Sequence, residues 1–422
     1  MSTASGGESP ILVRKYGGSS LTPIGRIREV ARQIVATRDR GYRLVVVVSA
    51  MGQTTDELLR LAGQVSATPP RRELDMLLSV GERITMSLLC MALADLNCPA
   101  ISYTGSQCGV ITDESHTAAE ILEVRPDRVR RSLADGRVVV VAGFQGVSRT
   151  REITTLGRGG SDATAVALAA ALGAERCEIC KDVDGVFTAD PHSQPAARRY
   201  ATLSYDDLEA MTLAGSAVVH PRAVAYARRH GVPLVVTSSF AAVPGTRIDP
   251  TTETALATSV TPTSPGPDLR GRPLAILTAR ERALLELTVP SGDLAERWRA
   301  VVAAAMPLDP PVHEGGRWDA GNDHWWLIGP DTAVARLAER LPRPDDGSGA
   351  TFRLRRGLAE VTLAGRPPHH WPGILAFVRE RLATWRISGW ICRSDASGLH
   401  LLLPPPAADR LATVLHETFL ET

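Results

Sequence analysis

The stretch TLGRGGSDATAVALAAALG, residues 155–173, places Gly157, Arg158, Gly159, Gly160 and Asp162 at the mouth of a long alanine-rich helix. An ordinary core helix needs a cap and an apolar stripe, and Ser161 or Asp162 with the alanine and leucine run would supply both. The three glycines and Arg158 exceed that need. Free N–H groups at a helix start, with glycines that let an anion come close, make the chemistry that of a phosphate or carboxylate site.

Other stretches carry compatible chemistry. KYGGSSL, Lys15 to Leu21, runs from a strand into paired glycines and two hydroxyls. Gly17, Gly18 and Ser19 form a backbone concavity for phosphate, with Lys15 as a point charge beside it. SAMGQTTDELL offers Ser49, Thr54 and Thr55 just before a helix, as ligand contacts or as a cap. SVGERIT breaks an apolar helical pattern with Gly81, Glu82 and Arg83, and a carboxylate there can hold an ammonium group. CKDVDGVFTADP carries Asp182, Asp184 and Asp190 in a turn-rich loop where Asp and Gly also have local reasons to occur. No Walker A pattern and no H-E-x-x-H occurs, so a nucleotide enzyme here is not of the P-loop type.

These loops need a scaffold that brings strand ends together. ILVRKY, LVVVVSA, RVVVVAGF, RCEICKDV and PLVVTSS alternate with helical patterns at about 24–38, through about Leu93, in the helix opened by the 155–173 stretch and near 223–229. Uniformly apolar strands separated by helices indicate a mostly parallel sheet covered on both faces, with ligands beyond the carboxyl ends of the strands. TPTSPGPDLRGRP, which begins near 259, reads as a linker. After it, strands at LAILTA, LLELTV, LAEVTLA, ISGWICRS and GLHLLLP alternate with helices near 294–305, 332–341, 373–382 and 407–419, a pattern of paired small sandwiches of helices on antiparallel sheets. DPPVHEGGRWDAGNDHWW reads as a loop.

The 422 residues are 44 per cent hydrophobic and 22 per cent charged, with a formal charge of +1, which indicates a soluble protein of two or three domains and removes any bulk argument for nucleic acid. No leader pattern and no apolar run of membrane-spanning length is read, so the expected location is cytoplasmic, without a membrane partner. Cys177 and Cys180 form a C-x-x-C within a strand, where a three-residue offset points them to opposite faces and argues against redox or zinc chemistry.

KYGGSSL, VVVVSAMGQTTDELL, DMLLSVGERIT, SYTGSQCGV, VAGFQG, TTLGRGGSDATAVALAAALGA and DVDGVFTADP, in this order over residues 10–247, resemble the aspartate kinases of the amino acid kinase fold. The resemblance implies a three-layer α/β/α domain with a mostly parallel sheet at 10–258, after a flexible start at 1–9. A linker at 259–272 and two ACT-like α+β (ferredoxin-like) regulatory or dimerisation domains at 273–422 follow. It implies transfer of the γ-phosphoryl of ATP, with Mg2+, to the side-chain carboxylate of L-aspartate or a close analogue, in a homodimer or higher homo-oligomer joined through the ACT-like domains. Lys15 would stabilise the transferred phosphoryl and Asp162 orient it. Arg158 would clamp the α-carboxylate, Glu82 hold the ammonium, and Ser49 and Thr55 contact the substrate. Gly17, Gly18, Ser19, Gly157, Gly159, Gly160, Lys181, Asp182, Phe187, Asp190 and His192 would face the nucleotide, and no residue is assigned to metal.

The departures from the family pattern sit on the nucleotide side. Lys181 stands where Ser or Thr is usual, His192 where Arg is usual, Ala217 where the family has a lysine, and Phe187 in place of tyrosine. In the second part, the turn VPSGDLAERW and the segment PLDPPVHEGG depart from the effector-binding pattern, so weak or absent feedback inhibition by lysine or threonine is expected.

Overall fold

Period-2 alternation in buried strands sets which side chains reach which layer, and the first strand shows it directly. In the computed structural model, β1 (Ile11–Tyr16) turns Leu12 and Tyr16 toward a helix at Gly25–Asp39 (α1), together with Arg14, which donates to Thr37. It turns Lys15 to the other face. The structure describes residues 9–250, 253–256, 273–290, 313–319, 322–341, 351–365 and 371–421. The linker at 259–272 and the helix expected near 294–305 lie outside them, as do VPSGDLAERW beyond Pro290 and the start of PLDPPVHEGG.

Two units are present: Met1–Phe187 with Arg198–Asp268, and Thr188–Ala197 with Leu269–Thr422. After β1 and α1 the first unit continues with β2 (Arg43–Val48), α2 (Thr54–Val65), α3 (Arg71–Leu78), α4 (Val80–Asp95), β3 (Ala100–Tyr103), β4 (Val110–Thr112) and β5 (Ile121–Val124). Next come α5 (Asp127–Ala134), β6 (Val138–Ala142), β7 (Gln145–Ser148), β8 (Ile153–Thr155), α6 (Gly160–Leu172) and β9 (Arg176–Lys181). It closes with β10 (Tyr200–Leu203), α7 (Tyr205–Leu213), α8 (Pro221–His230), β11 (Leu234–Ser238), β12 (Thr246–Ile248) and β13 (Ala255–Leu256).

The main sheet has the order β13-β10-β12-β11-β9-β1-β2-β6-β3, parallel except where β12 meets β11 and β13 meets β10. From β1 the chain passes to β2 on one side, and β9 lies on the other, so the strand order reverses at β1. The crevice beyond the carboxyl ends of β1, β2 and β9 is where such a sheet binds ligands. Ile27, Val30 and Ile34 of α1 and Met86, Leu89 and Leu93 of α4 cover one face against Leu12, Val46, Val48 and Val140. On the other, α6 packs on β1, β2, β9 and α8. Its alanines let it lie close, and it is buried nearly all round, as a central helix must be.

Two expectations for this unit need correction. The stretch Arg71–Asp95 is long and apolar enough to cross a membrane by length and composition, although no such run was expected. It is divided at Ser79 into α3 and α4; Met86, Leu89 and Leu93 line the core, while Met76, Val80, Ile84 and Met91 are exposed. The strand read at RVVVVAGF stops at Ala142, and from Gln145 the chain forms β7, part of a second sheet ordered β5-β4-β7-β8 whose strands are too short to announce themselves.

The second unit contains β14 (Ala275–Pro290), β15 (His313–Asp319), β16 (Asn322–Pro330), α9 (Asp331–Arg340), β17 (Thr351–Ala364), α10 (Trp371–Thr384), β18 (Ile391–Asp395), β19 (Gly398–Leu403) and α11 (Pro405–Phe419). Its antiparallel sheet has the order β15-β16-β14-β17-β19-β18. LAILTA and LLELTV are one strand, because the charged run between them is a bulge with Glu281 at φ 53 and shifted register against β17. The stretch read as a loop is the hairpin β15–β16. Two helix-covered cores share the sheet: Leu285, Leu287 and Leu327 with Val334 and Leu337 of α9, and Val361, Leu363 and Leu401 with Val378 of α10 and Leu411 and Leu415 of α11.

Candidate active site

Lys15 leaves the α6 face of β1, and its Nζ meets Asp162 Oδ1 at 2.7 Å, with both side chains more than nine-tenths buried. The cap of α6 is Gly159 at φ 71, with no side-chain cap bond, so neither Ser161 nor Asp162 caps the helix. Asp162 Oδ2 instead accepts the His220 N–H at 3.2 Å. Burial alone would raise its carboxyl, but the charges of Lys15 and Lys181 hold it below the usual carboxylate range. It is therefore a fixed anion and not a proton carrier.

The turn before α6 is held from three sides. Arg222 donates to Leu156 O at 2.8 Å and to Ala119 O at 3.1 Å, Thr155 Oγ1 donates to Asp75 Oδ1 at 2.5 Å, and the His220 ring lies where any side chain at 159 would stand. Gly157 and Gly159 both have φ 71, which only glycine adopts without strain. Between them Arg158 is exposed. The sequence reading missed Asp75, His220 and Arg222. Only Asp75 left a signal, as an acid inside the apolar stretch DMLL.

Three backbone segments converge on Ala50. A Cβ on Gly18 would come within 2.5 Å of Ala50 O, and one on Gly81 within 2.8 Å of Ala50 Cβ, so both positions require glycine for close approach. This contact brings Glu82, at the start of α4, into the same place. Its Oε1 accepts the Ala50 N–H at 3.1 Å, while Oε2 is buried without a partner. Burial pushes its carboxyl up to about 7, and the Ala50 N–H and the Lys15 charge offset that only in part. A buried carboxylate oxygen with nothing to accept is costly unless a ligand supplies the donor.

The sequence pattern of the amino acid kinase family matches residues 10–238. Over 411 residues the chain is 39% identical to the aspartokinase of Corynebacterium efficiens, covering 97% of this chain and 96% of that one. It is 41% identical over 418 residues to the aspartokinase of Mycolicibacterium smegmatis, with the same shares covered. The chain belongs to the aspartokinases. Among solved structures, the aspartate kinase from Synechocystis is 35% identical, with a TM-score of 0.53 over 97% of this chain and 69% of that one. Escherichia coli aspartokinase III, in complex with lysine and aspartate, shares the fold at a TM-score of 0.71 and 23% identity, over 97% of this chain and 99% of that one.

In this aspartokinase Gly17 lies beside the Lys15 ammonium, 3.6 Å from where its Cβ would be, and Ser19 opens a short 3-10 turn. Ser49 and Thr55 are partly exposed, at the end of β2 and in the first turn of α2. Thr54 donates to Met51 O at 2.7 Å, and α2 has no side-chain cap. Lys181 ends β9, and its Nζ donates to Ala217 O at 3.4 Å. Burial draws its pKa down, against the attraction of Asp162. Asp182 is exposed and Phe187 partly buried. Asp190 and His192 belong to Thr188–Ala197, within the second unit, where Asp190 accepts from His192 N at 3.0 Å and contacts His192 Nδ1 at 3.1 Å. Asp190 therefore makes the local turn bonds that its residue type favours.

Proposed function

We propose that this aspartokinase transfers the γ-phosphoryl of ATP to the side-chain carboxylate of L-aspartate, giving an acyl phosphate and ADP. The observation that carries the reading is the buried Lys15–Asp162 pair at the start of α6, next to a Glu82 whose second oxygen has no partner. The new bond joins a carboxylate oxygen of aspartate to the γ-phosphorus, and the bond from that phosphorus to the β,γ-bridging oxygen breaks. The nucleophile is already an anion near neutral pH, so no side chain has to remove a proton. The catalytic task is to hold two anions together and stabilise the spreading charge. Lys15, fixed by Asp162, supplies that charge, and Gly17, Gly18, Ser19 and the glycines of the α6 turn admit the phosphates.

Arg158 pairs with the α-carboxylate, Glu82 Oε2 accepts from the ammonium, and Ser49 and Thr55 complete the substrate pocket. Lys181 faces the phosphates with Asp182 and Phe187. A magnesium ion carried mainly by the nucleotide's own phosphates would neutralise phosphate charge. The second unit is read as paired ACT-like domains that join copies of the chain.

The test is hydroxamate capture of the acyl phosphate with ATP and aspartate, glutamate, succinate or N-acetylaspartate. Aspartate should turn over, and succinate and N-acetylaspartate, which lack the ammonium, should not. Equal rates with succinate would remove Glu82 from its role, and no hydroxamate from any acid would overturn the reaction.

A further inference from the structure

Glu82 and Arg158 lie on separate segments, at the start of α4 and in the turn before α6, and the distance between them would measure the length of an amino acid. One buried carboxylate joins those segments. Asp75, on α3, has no exposed surface and is bonded from three places: Thr155 Oγ1 donates to Oδ1 at 2.5 Å, His116 Nδ1 meets Oδ2 at 2.6 Å, and the Thr117 N–H reaches both oxygens at 3.1 and 3.2 Å. A carboxylate only accepts, so Nδ1 of His116 carries the hydrogen. Thr155 begins the turn that reaches Arg158 three residues later, and Ala119 N donates to Thr155 O at 2.9 Å, which lays the 116–119 segment along that turn. On the other side, Asp75 is one helical turn before Ser79, where α3 gives way to α4 and Glu82. Gln145 Nε2 fixes that junction by donating to Ser79 O at 2.9 Å.

We propose that Asp75 is a positioning residue that sets the Arg158 turn against the Glu82 helix and thereby selects the length of the amino acid held between them. The proposal rests on the reading of Arg158 and Glu82 given above. Asp75 touches no substrate; it acts through Thr155.

The experiment is steady-state kinetics of the full chain with aspartate and glutamate, with ATP varied separately. Asp75→Asn keeps the shape but replaces one accepting oxygen with a donor, so the Thr117 N–H keeps only one of its two oxygens and either Thr155 or His116 must turn from donor to acceptor. The expected result is a rise of about tenfold in the KM for aspartate and a loss of about tenfold in the preference for aspartate over glutamate, with kcat and the KM for ATP within about threefold. Thr155→Val should move both readouts in the same direction by less, and it is the variant to read if Asp75→Asn does not fold. A fall in kcat shared by both amino acids with unchanged preference would show a merely structural role and overturn the proposal. Arg158→Ala, measured alongside, separates the two readings. If it leaves the aspartate KM unchanged, the reading of Arg158 fails. If it raises that KM while neither Asp75→Asn nor Thr155→Val does, only the positioning role of Asp75 falls.

Discussion

Each unit of this aspartokinase buries a glutamate, and the two are solvated by the protein in opposite ways. Glu82, in the first unit, receives one backbone N–H and is pushed up to about 7. Glu360, on β17 of the second, lies 2.6 Å from Arg282 Nη2 and 3.0 Å from Arg393 Nη2, with His400 Nδ1 at 3.5 Å. Burial would raise it too, but His400, Arg282 and Arg393 hold it down to about 2. The same side chain in the same degree of burial thus marks a gap for a cation in one place and a carboxylate with both oxygens paired in the other. A carboxylate paired at both oxygens fixes structure, whereas one with an idle oxygen is a cost that a ligand can relieve.

Breaking the Glu360 cluster should have the largest effect on stability. Glu360→Gln takes the anion from the buried Arg282 and leaves Arg393 with Asp395 alone, a loss of about 3–5 kcal/mol of unfolding free energy. Activity per folded molecule should be unchanged, as chemical denaturation followed beside kinetics can show. The pH dependence has a defined sign. Glu360 is depressed in the folded chain, so its stabilisation is complete above the ordinary value of 4.5 and is lost as pH falls toward about 2. Equal acid sensitivity of wild type and Glu360→Gln across that window would show that the cluster does not govern acid unfolding.

On the substrate side, Arg158→Ala should reduce kcat/KM for aspartate by about 2–3 kcal/mol, the range for a hydrogen-bonded charge pair, or roughly 30–150-fold. Arg158→Lys should recover little, because a point charge cannot reproduce two parallel N–H bonds. Near-wild-type values in either variant would place Arg158 outside the substrate site.

Glu82→Gln sharpens the contrast by removing the charge that titrates near neutrality. Between 4.5 and about 7 the folded chain holds a proton on Glu82 that the unfolded chain has lost, so this group lowers stability as pH rises across that window. Substrate binding runs the other way, since an ammonium needs the ionised carboxylate. kcat/KM for aspartate should therefore fall below about pH 7 in the wild type. In Glu82→Gln it should be lower by about tenfold at pH 8, without that acid limb. A limb that persists in the variant would assign it to another group.

The contrast also explains what could be read in advance. β2, β6 and β11 are mostly apolar runs, whereas β1 carries Arg14 and Lys15 and β9 carries Glu178 among their apolar residues, and all five are found in the central sheet. Burial on both faces favours apolar residues and admits a charge only where it is paired, so composition reveals such strands. The second unit hid the continuity of β14, because Arg280, Glu281 and Arg282 part LAILTA from LLELTV in the sequence, although they bulge within the strand and deliver Arg282 to Glu360. In the site, Lys15, Glu82 and Asp162 were legible because a charge beside glycines at a strand or helix end has few other uses. The Ala50 N–H and the bonds of Asp75, His220 and Arg222 were not. They depend on which backbone atoms the fold brings together, and residue types do not encode that locally.

The last effect, also about tenfold, is expected at Ala217, where the family resemblance leads one to expect a lysine. The position is not without a cation, because Lys181 Nζ reaches the carbonyl of Ala217 from the end of β9. Asp162 attracts it, Lys15 repels it, and burial draws its pKa down. An ammonium in that balance gains from a polyphosphate that replaces solvent around it. At an effective dielectric of about 20, a unit charge pair 4 Å apart is worth about 4 kcal/mol, of which desolvation and the bond to Ala217 consume a share. A net loss of about tenfold in ATP affinity is therefore expected on removal. Lys181→Ser should raise the KM for ATP by about that factor and leave the KM for aspartate nearly unchanged, since the contacts proposed for the amino acid's charges are Arg158 and Glu82. Adding Ala217→Lys to Lys181→Ser should restore most of the loss by supplying the cation from α8's approach segment instead of from β9. If Lys181→Ser alone leaves the ATP dependence untouched, the charge at 181 faces solvent in the working enzyme and the phosphates are held by Lys15 and backbone N–H groups.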